Sequence, residues 1–110
     1  MPFNILPNDL VVVLTTEKDK EKARSLSTQI LTKKLAACVS CRTIHSEYWW
    51  DGKLENVEEV EMLFKTRKEK FSSLFEEIKK LHSYDLPELI YWDVKADLNY
   101  QEWLQNILMD

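Results

Sequence analysis

The fold is decided by residues 35–66, which read LAACVSCRTIHSEYWWDGKLENVEEVEMLFKT. Two strand-like runs meet in this stretch at Asp51-Gly52, between Trp50 and Lys53. An Asp-Gly dipeptide between such runs is typical of a two-residue β-hairpin, because both turn residues must accept a positive φ. The stretch therefore predicts one hairpin with a tight turn.

The predicted hairpin is long for a chain of 110 residues. Its first strand, from Ala36 to Trp50, spans roughly 50 Å at about 3.3 Å per residue, whereas a globule of this chain length is only about 34 Å across. An overhanging arm exposes strand edges and the aromatic residues Tyr48, Trp49 and Trp50, which soluble proteins normally cover. We expect a partner subunit to cover the arm; the alternative is a bulged strand that folds back on its own domain.

The turn also fixes the register of the hairpin. Continuing from Trp50 opposite Lys53 without a bulge gives three informative pairs: Cys38 with Lys65, Arg42 with Glu61, and Ile44 with Glu59. One face then holds the predicted core residues Val39, Cys41, Val60, Met62 and Phe64. The opposite face is expected to be polar.

The remaining chain predicts the elements around the hairpin. Residues 10–14 form an apolar run typical of a central strand, and an amphipathic helix follows, capped by Thr16-x-x-Asp19. A second Thr-x-x-acid box at Thr66 opens a helix that ends at His82, and Pro87 to Val94 predicts the fourth strand before a short carboxy-terminal helix. The pattern favours a single α+β domain over residues 1–110, with a ferredoxin-like βαββαβ order, a long hairpin arm and a C-terminal helix.

Composition limits the function classes. The net charge is −4 and the cations are interleaved with acids, whereas nucleic-acid binding needs a clustered basic surface. No apolar run is long enough to span a membrane, and Met1 to Asn8 lack the features of a secretory signal. Two cysteines do not make a disulfide framework, so a reduced, cytoplasmic setting is expected.

Two residue types could carry metal chemistry. Cys38 and Cys41 are spaced as Cys-x-x-Cys, but residues three apart on a strand point to opposite faces, so Cys41 is expected to be a buried, inert thiol. Cys38 lies beside Lys65, whose charge favours the thiolate; the alternative is a small buried apolar residue. His82 either caps the second helix or binds a soft metal, whereas His45, opposite Glu58, is expected at the surface.

The second hairpin strand carries an acidic run: Glu55, Glu58, Glu59 and Glu61. A solvated or interface face is the expected reading, with oxygen ligation of a cation as the weaker alternative. The chain has a single glycine and no nucleophile elbow or zinc-protease motif, so no catalytic site is expected.

At these residues the sequence resembles the CutA family, the divalent-cation tolerance proteins. The similarity runs in order along nearly the whole chain, and the segments that carry it are residues 34–39, 46–53, 59–66 and 82–89, with Tyr100 and Trp103-Leu104. The resemblance implies a homotrimer of ferredoxin-like protomers held together by the hairpin and the edge strands. It also implies copper binding and a role in metal tolerance, without an obligatory cofactor or an enzymatic activity.

The resemblance also implies a set of site residues between subunits. They are Cys38, Glu59, Lys65, His82, Tyr84, Pro87 and Glu88. Cys38 and His82 are the predicted copper ligands, and Lys65 is a candidate anion contact. Two positions depart from the family pattern: Thr15 replaces a cysteine of some members, and Ser83 replaces a proline that often follows the histidine.

Two other functions stay open at this stage. The fold also resembles that of the trimeric PII-like regulators, which implies a cleft for nucleotides or other anions formed by Lys65 and the loop from His82 to Glu88. The third reading is a structural trimer that anchors an unidentified protein partner through its polar face.

Overall fold

The computed structural model describes residues 10–109 as four strands and three helices. In chain order the elements are β1 Leu10–Glu17, α1 Lys20–Thr32, β2 Cys38–Trp50, β3 Lys53–Arg67, α2 Lys68–Leu81, β4 Ile90–Val94 and α3 Leu98–Leu108. The strands form one antiparallel sheet in the order β2-β3-β1-β4. This order confirms the predicted ferredoxin-like α+β fold. The expectation for Met1 to Asn8 lies outside the described residues.

The hairpin has the predicted turn and register. Asp51 and Gly52 both have positive φ, 51° and 73°, as a type I′ turn requires. Trp50 pairs with Lys53, and the ladder continues unbroken to Cys38 opposite Lys65. The domain measures 54 × 29 × 21 Å, so the arm extends well beyond the rest of the protein. The alternative of a strand folded back on its own domain is therefore wrong.

The main core lies between one face of the sheet and the two long helices. It is built from the inward residues of β1 and β3 and the apolar stripes of α1 and α2: Val11, Val13, Ala23, Leu26, Ile30, Ala36, Val60, Met62, Phe64, Leu74 and Ile78. A smaller cluster joins Leu10 to Leu104 and Leu108 of α3. Because Leu10 and its neighbour Val11 point to opposite faces, α3 covers part of the second face. That face is thus less uniformly polar than predicted.

Several local predictions are wrong. Asp19, not Thr16, caps α1, and its side chain accepts from the Lys22 N–H at 2.8 Å. Thr66 does not cap α2, because it remains in β3 and donates its buried hydroxyl to the Leu35 carbonyl at 2.8 Å. The fourth strand begins at Ile90 instead of Pro87. Proline has no N–H to donate to a ladder, which partly explains why the strand starts after Pro87.

Cys41 is exposed, so its predicted burial is also wrong. It lies on the helix-covered face, as the register required, but β2 is an outer strand of the sheet, so no further strand flanks this position. Its sulfur lies 3.8 Å from the Ser27 hydroxyl of α1.

Candidate functional site

His82 anchors the loop between α2 and β4. It is the C-cap of α2, its backbone N–H donates to the Ile78 carbonyl, and its ring is completely buried. Nδ1 accepts from the Tyr84 N–H at 3.0 Å, and Nε2 lies 2.6 Å from the Thr16 carbonyl. A carbonyl can only accept, so these partners assign the proton to Nε2. Both ring nitrogens are therefore engaged with the backbone.

Thr15 and Glu17 hold the same loop from the end of β1. The Thr15 hydroxyl donates to the Glu88 carbonyl at 2.6 Å and lies 3.1 Å from His82 Nε2. The Glu17 carboxylate, 1% exposed, accepts from the backbone N–H groups of Lys18 at 2.8 Å and Ser83 at 3.1 Å. A buried carboxylate needs such partners, because desolvation of an unpaired charge is costly. The loop is thus fixed by polar contacts to β1.

Tyr84 and Glu88 bring the loop to an acidic part of β3. The Tyr84 hydroxyl donates to Glu59 Oε2 at 2.9 Å, and Glu59 is only 6% exposed. Burial, and then the hydrogen bond and charge of Glu59, raise the pKa of Tyr84. Partial desolvation raises the pKa of Glu88, and the charges of Glu59 and Glu61 add to this effect. These residues form an acidic cluster at the loop.

Cys38 lies at the start of β2 in a second polar cluster. Lys65 Nζ donates to the Ser40 hydroxyl at 2.7 Å and is 3.7 Å from the Cys38 sulfur. Tyr100 of α3 completes the group: burial raises its pKa, and the neighbouring Cys38 adds to the shift. The thiol is half-buried between a cation and a phenol.

The structure does not bring Cys38 and His82 together within one subunit. Cys38 pairs with Lys65, and Lys65 pairs with Val12. Val12 and Thr15 are three residues apart on β1 and point to opposite faces, and Thr15 is the residue that contacts the His82 ring. The two predicted copper ligands thus lie on opposite sides of the sheet. Among residues 10–109, no group of three His, Cys, Asp or Glu side chains is arranged to hold a metal ion.

The aromatic residues of the arm are exposed. Trp49 is 74% exposed, and Tyr48, Trp50 and the neighbouring Leu54 are exposed as well. At the opposite edge of the sheet, β4 exposes Ile90, Tyr91 and Trp92. Since β2 and β4 are the outer strands, each also offers one row of backbone groups that no other strand of the sheet pairs.

Comparison with known proteins identifies the family. The family model for the CutA1 divalent ion tolerance proteins matches residues 11–107. The chain belongs to the CutA1 family. It is 38% identical to the divalent-cation tolerance protein CutA of Thermococcus kodakarensis, over 91% of this chain and 97% of the relative. It is also 41% identical to the chloroplastic Protein CutA 1 of rice, over 87% of this chain and 55% of that protein.

The fold agrees with this assignment. The structure of CutA from Synechococcus elongatus superposes with a TM-score of 0.90 at 33% identity, over 93% of this chain and 92% of that chain. Within residues 10–109, no helix is both long enough and apolar enough to cross a membrane.

Sequence reasoning missed the part played by Glu17 and Ser40, and named Thr15 only as a departure from the family. A signal for two of them was present, because Thr15 and Glu17 continue the alternation that places Val11 and Val13 in the core. Polar residues at core positions need buried partners. Ser40 carried no such signal, because it stands on the exposed hairpin.

The raised pKa of Glu88 has a testable consequence for stability. The folded protein holds this proton more tightly than the unfolded chain, so the carboxyl contributes most to stability below its ordinary pKa of 4.5. The contribution falls as the pH rises through the folded-state value. We expect Glu88→Gln to be more stable than wild type near neutral pH, and to lose this advantage below about pH 4.

Urea unfolding of both proteins across this pH range, at low salt and one protein concentration, measures the difference. Glu102→Gln is the control, because Glu102 is an exposed carboxylate on α3. A Glu88→Gln difference that does not change with pH would contradict the raised pKa of Glu88, to which desolvation and the charges of Glu59 and Glu61 contribute.

Proposed function

We propose that this CutA1 family member is a homotrimeric, non-enzymatic binding protein that contributes to divalent-cation tolerance by binding copper or a similar soft cation at Cys38. Family membership supports the tolerance role. The observation that carries the metal assignment is the half-buried Cys38 thiol at the start of β2, on the face that α1 and α2 leave open. Thiolate sulfur suits copper better than it suits hard cations such as magnesium or calcium.

The hydrogen bonds of the His82 ring limit how this residue could bind a copper ion together with Cys38. A ligand nitrogen must present a free lone pair, but Nδ1 accepts from Tyr84 and Nε2 carries the proton given to Thr16. The two residues of one subunit therefore do not fit a shared copper ion. If His82 takes part, it does so toward the Cys38 of another subunit and after release of one backbone hydrogen bond.

Cys38→Ala tests the metal assignment, with Cys41→Ala as a matched control. Both variants lose one thiol from β2, but the two cysteines point to opposite faces of the sheet. In anaerobic copper(I) titrations we expect Cys38→Ala to lower the affinity at least tenfold, by analogy with the loss of about 10–100-fold for weaker, indirect ligand contacts. Cys41→Ala is expected to keep the wild-type affinity. Equal affinities for wild type and Cys38→Ala would refute the assignment.

The exposed arm supports the trimer. The hairpin extends past its own core and carries exposed tryptophans at its tip, and both edge strands offer unpaired backbone groups. A second copy of the chain supplies complementary strand edges, and closed symmetry leaves none of the arms uncovered. A cytoplasmic location stays a prediction.

A second candidate function is anion binding of the PII-like kind. The environment of the Lys65 ammonium group favours it. Within residues 10–109 its ammonium group donates to Ser40 and has no carboxylate partner within salt-bridge distance. A half-buried cation without a counter-charge attracts phosphates and carboxylates.

Thermal-shift measurements with nucleotides, inorganic phosphate and dicarboxylates test this candidate, because a bound ligand raises the melting temperature by mass action. We expect any such shift to disappear in Lys65→Gln and to remain in Lys80→Gln, which removes an exposed cation from α2. The absence of a shift with every anion counts against this function. A stable trimer that responds to neither metals nor anions, and retains one protein partner, would favour the anchoring role.

A further inference from the structure

The two helices that cover the main core carry most of the positive charge of the chain. We call residues 18–34 and 67–82 the helix layer; it contains eleven Lys or Arg and five Asp or Glu. The rest of the chain contains four Lys or Arg and fourteen Asp or Glu. In a protein of net charge −4, the helix layer is therefore a positive surface.

Many of these cations are not neutralised by neighbouring acids. Four of the five acids of the helix layer are engaged, three in ion pairs and Asp19 in the cap of α1. Among residues 10–109, six exposed cations of the layer form no ion pair: Lys18, Lys20, Lys22, Arg24, Lys34 and Lys80. Their charge is therefore available to a partner.

Part of this charge lies along the outer groove between α1 and α2. Lys33, at the end of α1, forms an ion pair with Glu77 of α2, so these residues mark the sides on which the two helices face each other. Lys22 is eleven residues before Lys33, and Lys80 is three after Glu77, so each lies on the same side of its helix as its marker. We call the groove lined by these four residues the α1–α2 furrow.

The proposed trimer leaves the α1–α2 furrow accessible. The trimer uses the arm and the outer strands β2 and β4, whereas α1 and α2 contact each other and both contact the inner strands β1 and β3. Lys20 and Arg24 lie beside β2 instead, where a neighbouring subunit would cover them. Lys22 and Lys80 are thus the free cations that a further partner can reach together.

We propose that the α1–α2 furrow binds an acidic segment of another protein, whose carboxylates contact Lys22 and Lys80. Spaced carboxylates on a polypeptide complement cations that stand on two separate helices. Nucleic acid fits less well, because Glu21 and Glu76 are exposed on the same layer and repel a continuous row of phosphates. A membrane fits less well, because Leu31 is the one large apolar side chain that the helix layer, described throughout, exposes.

The furrow is separate from the proposed copper site. Val39, the neighbour of Cys38 on β2, packs against the core beneath the helices, so Cys38 points to the opposite face of the sheet. A variant of the furrow therefore keeps the Cys38 thiol and its surroundings. The experiment uses the whole protein.

Fluorescence anisotropy with a labelled peptide of about twenty residues, in which glutamate alternates with serine, measures the binding. At about 0.1 M salt the Debye length is about 10 Å, so distant charges contribute little. We expect saturable binding of this peptide to the wild-type protein. A peptide in which glutamine replaces every glutamate should not bind.

Lys22→Glu with Lys80→Glu is expected to weaken peptide binding at least about tenfold, because two attractions become two repulsions. Lys53→Glu with Lys95→Glu is the matched control, since it changes the net charge equally at two exposed lysines outside the helix layer. It should change the affinity by less than about twofold.

Three outcomes would overturn the proposal. The first is no binding of the acidic peptide to the wild-type protein. The second is an equal loss of affinity in both pairs of substitutions. The third is tighter binding of the wild-type protein to single-stranded DNA of the same length, or to vesicles that contain phosphatidylserine, than to the peptide.

Discussion

Replacing His82 by alanine is expected to lower the free energy of unfolding by roughly 2–5 kcal/mol, as for the loss of a buried, hydrogen-bonded side chain. The imidazole is fully buried and joins three parts of the chain: β1 through Thr16, the end of α2, and the loop through Tyr84. Its removal leaves a cavity, an unpaired carbonyl at Thr16 and an unpaired N–H at Tyr84.

His45→Ala is the matched control, because it removes the same side chain from an exposed position on the arm. The nearest charged partner of His45 is Glu47, 3.8 Å away, and both side chains are exposed. A change of less than about 0.5 kcal/mol is expected there. Urea unfolding at one fixed protein concentration measures both variants, since assembly links stability to concentration. Equal losses for the two variants would show that the His82 hydrogen bonds do not anchor the loop.

The second large effect is expected at the tip of the arm. Replacing Trp49 and Trp50 together by serine should weaken subunit association at least about a hundredfold, because buried tryptophans are among the largest contributors to interfaces. Both side chains are exposed in the single subunit, 74% and 53%. Their removal costs the folded monomer little, but it removes the apolar surface that the proposed trimer buries.

Dilution series followed by light scattering measure this loss, and Leu31→Ser is the control. Leu31 is an exposed apolar residue of α1, away from the arm, so its removal should leave association unchanged. Unchanged association after loss of both tryptophans would place the subunit contacts elsewhere.

The hairpin was predictable because its determinants are local. Asp51-Gly52 specifies the turn, and strand alternation then fixes every pair down to Cys38 opposite Lys65. The apolar stripe of α2 was equally clear from spacing, and Leu74 and Ile78 are buried as expected.

The caps and the site were harder to predict because they depend on tertiary packing. Thr66 has a capping sequence, yet its hydroxyl is buried against Leu35, 31 residues away. The partners of His82 on β1 are 66 and 67 residues away in the sequence. No local pattern therefore shows that the ring is already engaged in hydrogen bonds. Cys41 matched the core pattern, but strand alternation gives the face of a residue and not whether its strand lies at the edge of the sheet.

In the proposed trimer, other copies of the chain cover the arm and complete the site between subunits. Light scattering of the whole protein, over a wide range of concentrations and without metal, tests this assembly. We expect a constant mass three times the 13.1 kDa of one chain. A constant mass of one chain would contradict it, because the arm would then remain exposed and no site between subunits could form.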